Sequence, residues 1–129
     1  PLFSPAYVVC SDNFCRMKRA IYFYGSRIQT FFESLDNSTV EKIEWTINLI
    51  KQFDRVPTTY LKYLKGTNSL YEIRCQWSGS SIRLFCFFDQ NNLLIIVHGF
   101  IKKTQKTPVQ EISIAEKIKR DYYEKKRKQ

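Results

Sequence analysis

The sequence has few of the residues that bind metals or cross-link small domains. Its 129 residues contain one histidine, His98, and four cysteines. No cysteines have the Cys-x-x-Cys spacing that is typical of zinc sites, and two of the four fall inside predicted strands. These shortages argue against a zinc site and against a disulfide scaffold, so we expect reduced cysteines with structural roles.

Long hydrophobic runs are also missing. A membrane-spanning helix needs about 18 or more apolar residues in succession, and apolar runs such as residues 93–97 are much shorter. The sequence shows no charged start followed by the long apolar core of a signal peptide. We therefore expect a cytoplasmic protein without a membrane span.

Acidic residues are scarce relative to basic ones. The chain has 21 Lys and Arg but 12 Asp and Glu, which gives a net charge of +9. Residues 102–129 hold ten basic and four acidic side chains, so they carry +6 of this +9. Such an uneven excess favours a polyanionic partner, either nucleic acid or an acidic protein, over an acidic small molecule.

The length and the apolar content predict one folded domain. A chain of 129 residues with 43% hydrophobic residues can bury a substantial core. Residues 1–16 contain two prolines and no sustained periodicity, whereas a clear strand pattern follows Met17. We interpret residues 1–16 as a leader or extension, residues 17–124 as the domain and residues 125–129 as a basic tail.

Hydrophobic periodicity predicts a small α+β fold in the order β-α-α-β-β-β-α. The predicted strands cover residues 18–24, 70–77, 82–88 and 93–100. Two four-residue polar segments separate the last three strands, which favours an antiparallel meander that the N-terminal strand joins. A capping-box spacing at residues 38–41 starts the second helix, and Pro108 opens the last one, with Ile112, Ala115 and Ile118 on its inner face.

Four-residue turns would fix the register of the meander. In that register Arg83 lies opposite Gln76 on one side and opposite His98 on the other. One face of the sheet then groups Arg74, Gln76, Arg83 and His98, half exposed and close enough for two or three of them to contact one phosphodiester. The ordinary alternatives are ion-paired arginines and a structural histidine. The same face carries four apolar residues that the last helix or a partner must cover: Phe85, Phe87, Leu94 and Ile96.

A cluster of basic and polar side chains follows the last strand directly. Lys102, Lys103 and Lys106 are interspersed with Thr104 and Gln105. Hydroxyl and amide groups can contact phosphate oxygens together with lysine ammonium groups. A solvated surface would give a similar pattern, but the preceding strand anchors these lysines, which favours a phosphate-binding site.

Three segments resemble the HigB branch of the RelE-like toxins, a family often found as phage-derived homologues. They are residues 70–74 (LYEIR), residues 83–89 (RLFCFFD) and residues 98–108 (HGFIKKTQKTP). The resemblance extends from about residue 17 to residue 123 and is specific after residue 70. That family's small α+β fold is compatible with the predicted order of elements.

The resemblance implies the toxin of a type II toxin–antitoxin system. Such a toxin cuts mRNA in the decoding site of the ribosome and is held inactive by a cognate antitoxin, commonly a helix-turn-helix protein. The implied reaction needs neither metal nor cofactor, because the 2′-hydroxyl attacks its own phosphate and leaves a 2′,3′-cyclic phosphate and a free 5′-hydroxyl. It requires a base, an acid and cations that stabilise the pentacovalent charge.

Residue roles can be carried over by position. Arg83 matches the strand arginine at the reacting phosphate, Lys102 and Lys103 match the basic positions after the last strand, and Arg74 matches an arginine frequent in this branch. His98 is the simplest acid or base, because its unperturbed pKa is near neutral. Further RNA contacts are expected from Gln76, Thr104, Gln105 and Lys106.

The acid and the base stay open, since some family members use a tyrosine, several histidines or a carboxylate near the C-terminal end. In this chain the late tyrosines are Tyr122 and Tyr123. Two other functions also stay open: a non-catalytic RNA- or DNA-binding module of phage or mobile-element origin, and a protein-interaction subunit. The lack of a helix-turn-helix signature disfavours sequence-specific DNA binding by this chain alone.

Overall fold

A computed structural model describes residues 18–128, so the segment interpreted as a leader lies outside the described residues. The strands are β1 (Ala20–Phe23), β2 (Leu61–Tyr63), β3 (Tyr71–Trp77), β4 (Ser80–Asp89) and β5 (Leu93–Lys102). The helices are α1 (Ser26–Glu33), α2 (Asn37–Gln52) and α3 (Val109–Arg127). The predicted α+β class is confirmed. Within residues 18–128, no helix has the length and apolar character needed to span a membrane.

The five strands form one sheet in the order β1-β5-β4-β3-β2. Strands β3, β4 and β5 make the predicted antiparallel meander, and β1 joins it in parallel with β5. Strand β2 is absent from the predicted order of elements, but it pairs with β3 at the sheet edge and buries Leu61. Three residues are too few to show a period of two, which is why the pattern did not indicate this strand.

The predicted register of the first hairpin is wrong by two residues. The turn between β3 and β4 is the two-residue segment Ser78 and Gly79, with φ of 52° and 80°. Two successive positive φ angles are typical of the tight type I′ turn, whose twist matches that of paired strands. Arg83 therefore lies opposite Arg74 and not opposite Gln76.

The second hairpin departs from the prediction in two ways: Asp89 pairs with Leu93 across a three-residue turn where four residues were expected, and β5 contains a β-bulge. Ile96 pairs with Cys86 and His98 pairs with Phe85, so Val97 is an extra residue in β5. The residue opposite Arg83 on this side is Phe100, not His98.

The three-residue turn, which shifts the pairing by one residue before the bulge, changes which side chains share a face. Leu94 and Ile96, expected on the polar face, pack instead with the cluster under α1 and α2. Phe85 and Phe87 pack against α3, as predicted.

Two apolar clusters hold the helices on opposite faces of the sheet. The larger one, under α1 and α2, includes Ile28, Phe32, Ile43, Ile47, Ile73 and Leu84. The smaller one, under α3, includes Phe85, Phe87, Ile95, Val97 and Ala115, with Ile112 and Ile118 partly buried against it. The predicted inner face of the last helix is confirmed. This helix continues to Arg127, so it includes most of the segment that was expected as a basic tail.

Two local features position the other helices. The N-cap of α2 is Asp36, whose carboxylate accepts a hydrogen bond from the Thr39 N–H at 2.9 Å, so the predicted capping box is not used. Helix α1 approaches β5 closely at Gly99, where a Cβ atom would lie 2.4 Å from the Phe31 ring. A glycine is required there for the helix to pack as it does.

Candidate nucleic-acid interface

An open groove lies where β3 and β4 meet the end of β5. Its volume is about 550 Å³, and its lining residues are Arg74, Ser81, Arg83, Lys102, Lys103, Thr104 and Gln105. Four of these seven side chains are cationic and none is acidic. We call this feature the basic groove. The structure thus brings together most of the predicted phosphate-binding residues.

Strand pairing explains why the cations converge. Arg74 and Arg83 are direct cross-strand partners, and Ser81 pairs with Lys102. Like charges directly opposite each other on a sheet repel and destabilise the pair. A compensating negative charge near the two arginines is therefore expected.

That charge is the carboxylate of Glu72, which sequence reasoning missed. Its side chain is 2% exposed, and Oε1 lies 3.5 Å from Arg83 Nε and 4.0 Å from Arg74 Nε. Its Oε2 accepts a hydrogen bond from the Thr107 hydroxyl at 2.9 Å. One buried carboxylate therefore holds two strand arginines and the segment after β5 in a fixed arrangement. An acidic residue within an apolar strand, two positions before an arginine, was the available signal.

Arg83 is buried, not half exposed as predicted. It is 5% exposed, and Nη1 donates to the Ile82 carbonyl at 3.1 Å. Burial lowers the pKa of Arg83 and the Glu72 carboxylate opposes this effect, but an arginine remains protonated in a protein. Among residues 18–128, Arg83 Nε is one of two buried side-chain nitrogen or oxygen atoms without a hydrogen-bond partner. A cation removed from water in this way interacts strongly with an anion that reaches the groove.

The lysines at the end of β5 and after it differ in their surroundings. Burial lowers the pKa of Lys102, with smaller contributions from the nearby arginines, while Glu72 opposes the shift. Lys103 is exposed at the rim of the groove. Lys106 is also exposed but is not among the residues that line the groove, and its carbonyl accepts a hydrogen bond from the Thr104 hydroxyl at 2.8 Å.

His98 does not line the basic groove. Its Nε2 lies 2.6 Å from Glu111 Oε1 at the start of α3, and its ring stacks on Phe85 with a centroid distance of 6.0 Å. It lines a different cleft, which α1 and Gly99 also border. The three-residue turn between β4 and β5 and the bulge displaced the pairing that had placed His98 opposite Arg83.

The late tyrosines lie at the turn between β4 and β5. The Tyr122 hydroxyl donates to Asp89 Oδ2 at 2.6 Å, and Lys126 Nζ contacts the same oxygen at 2.7 Å. Burial raises the pKa of Tyr122, and the hydrogen bond to Asp89 adds to the shift. The Tyr123 hydroxyl donates to the Phe88 carbonyl at 3.4 Å. Neither tyrosine lines the groove. Through these hydrogen bonds to β4, both tyrosines fasten α3 to the sheet.

A second cleft adjoins the basic groove and was not predicted. Its volume is about 360 Å³, and it is lined by Lys42, Trp45, Thr46, Thr59, Tyr60, Arg74, Cys75, Gln76 and Arg83. We call it the α2 cleft. Gln76, a predicted RNA-binding residue, lines this cleft and accepts a hydrogen bond from the Ser81 hydroxyl at 2.7 Å.

The cysteines within the described residues are free and buried. Burial raises the pKa of Cys75 and of Cys86, so neither thiol ionises readily. Cys10 and Cys15 lie outside the described residues. In the part of the chain that the structure describes, no three His, Cys, Asp or Glu residues form a group that could hold a metal ion.

Comparison with known proteins gives a family for the chain. Residues 30–120 match the phage-derived protein Gp49-like family (DUF891), and this segment includes every residue that lines the basic groove and the α2 cleft. No curated protein matches the sequence. Because the match covers more than half of the chain, the protein belongs to the Gp49-like family, which is part of the RelE/toxin-like superfamily and is commonly toxin-like.

Proposed function

We propose that this Gp49-like protein is the toxin of a type II toxin–antitoxin system, related to the HigB branch, and that it cleaves mRNA on the ribosome. The observation that carries the proposal is the basic groove, which combines four cations with a buried arginine whose Nε has no hydrogen-bond partner. Membership of a commonly toxin-like family supports it. The expected partners are ribosome-bound mRNA and a cognate antitoxin, commonly a helix-turn-helix protein.

The groove suits phosphoryl chemistry that uses the RNA as its own nucleophile. The 2′-hydroxyl oxygen forms a bond to the adjacent phosphorus while the bond from phosphorus to the 5′-oxygen breaks. A base takes the 2′-hydroxyl proton, and an acid delivers a proton to the 5′-oxygen, so that a cyclic phosphate and a 5′-hydroxyl result. Arg74 and Arg83 on the strands, with Lys102 and Lys103 on the other side, stabilise the negative charge that develops on the phosphate oxygens.

Lys102 is our candidate for proton exchange within the groove. It is partly buried, and burial lowers its pKa, so it releases a proton more readily than an ordinary lysine. The contacts of His98 with Glu111 and Phe85 favour the structural alternative for that residue. Orientation of the mRNA by the ribosome supplies a further part of the rate enhancement, so a small number of catalytic residues is sufficient.

Cleavage of mRNA on programmed ribosomes tests this proposal. The full chain should produce discrete cuts with a 2′,3′-cyclic phosphate on the upstream fragment and a 5′-hydroxyl on the downstream fragment. A control protein with the exposed lysines Lys65 and Lys117 changed to alanine should cleave equally well, because neither lysine lines the groove. Binding of RNA or ribosomes without any cut would refute the proposal and favour a non-catalytic nucleic-acid-binding module.

A further inference from the structure

The α2 cleft opens beside a free strand edge. Strand β2 pairs with β3 only as far as Ile73, so residues 75–77 have no strand partner on that side within the described chain. Helix α2 and the segment before β2 form the other walls. The cleft volume of about 360 Å³ falls within the roughly 300–1,000 Å³ of small-ligand sites.

Two aromatic rings form a corner in this cleft. The rings of Trp45 and Tyr60 lie 6.5 Å apart at an interplanar angle of 74°. Trp45 is 48% exposed, an unusual position for the largest aromatic side chain. The Lys42 ammonium lies 3.9 Å from the centroid of the Trp45 ring. Because a lysine stem is flexible, a flat ligand can take the place of this ammonium against the indole.

The cleft and the basic groove are continuous. Arg74 and Arg83 line both, and none of the nine residues that line the cleft is acidic. If a phosphate of an RNA strand lies against these arginines, the nucleoside next to that phosphate therefore lies at the mouth of the cleft. Thr59 and Gln76 add hydroxyl and amide groups, which can form hydrogen bonds with the edge of a base.

We infer that the α2 cleft holds an unstacked nucleobase of the RNA whose phosphate occupies the basic groove. This inference rests on the proposed function, since it names a second subsite for the same substrate. Aromatic stacking accepts any base that is not engaged in a duplex, so the cleft selects single-stranded over paired RNA. Trp45 is then a substrate-binding residue that contributes through contact with the base.

Tryptophan fluorescence gives a direct test, because the chain has two tryptophans, Trp45 and Trp77. Trp77→Phe leaves Trp45 as the single reporter. A single-stranded RNA oligonucleotide should quench its emission, whereas an abasic oligonucleotide with the same number of phosphates should bind without quenching. In the converse variant, Trp45→Phe, the remaining Trp77 should not respond to RNA. Absence of quenching in the Trp45-only protein would overturn the inference.

Alanine substitution gives an independent measurement. Trp45→Ala should weaken binding of single-stranded RNA roughly 5- to 150-fold, the range expected for one lost stacking contact. Its affinity for the abasic oligonucleotide should not change. Trp77→Ala is the matched control, since Trp77 is 39% exposed and does not line the cleft.

Failure of the base-binding inference can be distinguished from failure of the proposed function. Unchanged RNA affinity in a folded Trp45→Ala protein that still cleaves would overturn the base-binding role alone. A wild-type protein that shows quenching but never cuts ribosome-bound mRNA would refute the proposed function and leave the base-binding cleft intact.

Discussion

Replacing Arg83 with alanine should destabilise the protein as well as inactivate it. The change leaves the Glu72 carboxylate, which is 2% exposed, without its nearest cation at 3.5 Å. Removing one partner of a buried ion pair typically costs about 3–5 kcal/mol. Arg74 remains 4.0 Å from the same oxygen, and Thr107 still donates to the other oxygen. We therefore expect the lower limit, a loss of about 3 kcal/mol in the free energy of unfolding.

A second substitution separates stability from chemistry. In the double variant Arg83→Ala with Glu72→Gln, the neutral amide no longer needs a counter-charge and still accepts the Thr107 hydroxyl. The two changes should then be less than additive, with a coupling energy of about 1–3 kcal/mol. Cleavage should stay reduced by about 10²-fold or more in the double variant, because the cation at the phosphate is still missing.

Urea unfolding followed by circular dichroism measures the first effect, and cleavage on programmed ribosomes measures the second. An Arg83→Ala protein that loses less than about 1 kcal/mol, or strict additivity in the double variant, would refute the role of the buried pair. Recovery of cleavage together with stability would show that Arg83 acts through folding and not at the reacting phosphate.

Three further predictions follow from other contacts. Changing Lys102 and Lys103 together to alanine should weaken binding to single-stranded RNA and reduce the slope of log affinity against log salt by about 1.4, the value for two lost phosphate contacts; an unchanged slope would contradict their role. His98→Gln should cleave nearly normally while its melting temperature falls, because about 1 kcal/mol of hydrogen bonding is lost; a large loss of cleavage at an unchanged melting temperature would contradict this. Burial opposes ionisation of Asp89, but hydrogen bonds from Lys126, Tyr122 and the Gln90 N–H outweigh it and lower the pKa of Asp89. The stabilisation is thus complete above the unfolded pKa of about 4 and is lost as the pH falls through the lower folded value. Thermal unfolding should therefore show a difference between wild type and Asp89→Asn that shrinks below about pH 4, and a difference independent of pH would disprove the assignment.

The sequence predicted which segments form strands and helices better than it predicted the register in which the strands pair. The strands of the meander are recognisable as short apolar segments separated by polar turn segments, and the inner face of α3 is recognisable by the helical spacing of its apolar residues. The register of the first hairpin depends on a turn that only the backbone angles of Ser78 and Gly79 define. The bulge at Val97 falls in an unbroken apolar run, where both faces are buried and alternation cannot mark an extra residue.

The candidate site was predicted only in part, because the errors in register affected some of its residues and not others. Arg74, Arg83, Lys102 and Lys103 converge because a two-residue error in register keeps each side chain on its own face. The position of His98 depends on the bulge and on its contact with α3, which no local pattern contains. Burial of the Glu72 carboxylate results from tertiary packing around it, so it was visible in the sequence only as an isolated acid.

The bulge in β5 has a consequence for how the length of this strand can change. If Val97 were absent, Ile96 and His98 would follow each other in regular alternation, so Gly99 would still face Phe31 and Lys102 would still face the groove. A deletion between Gly99 and Lys102 would instead turn the lysine to the side of α1 and α2. Relatives one residue shorter in this strand should therefore carry the gap in an alignment at the bulge, where evolution can remove a residue without inverting the chemistry that follows it.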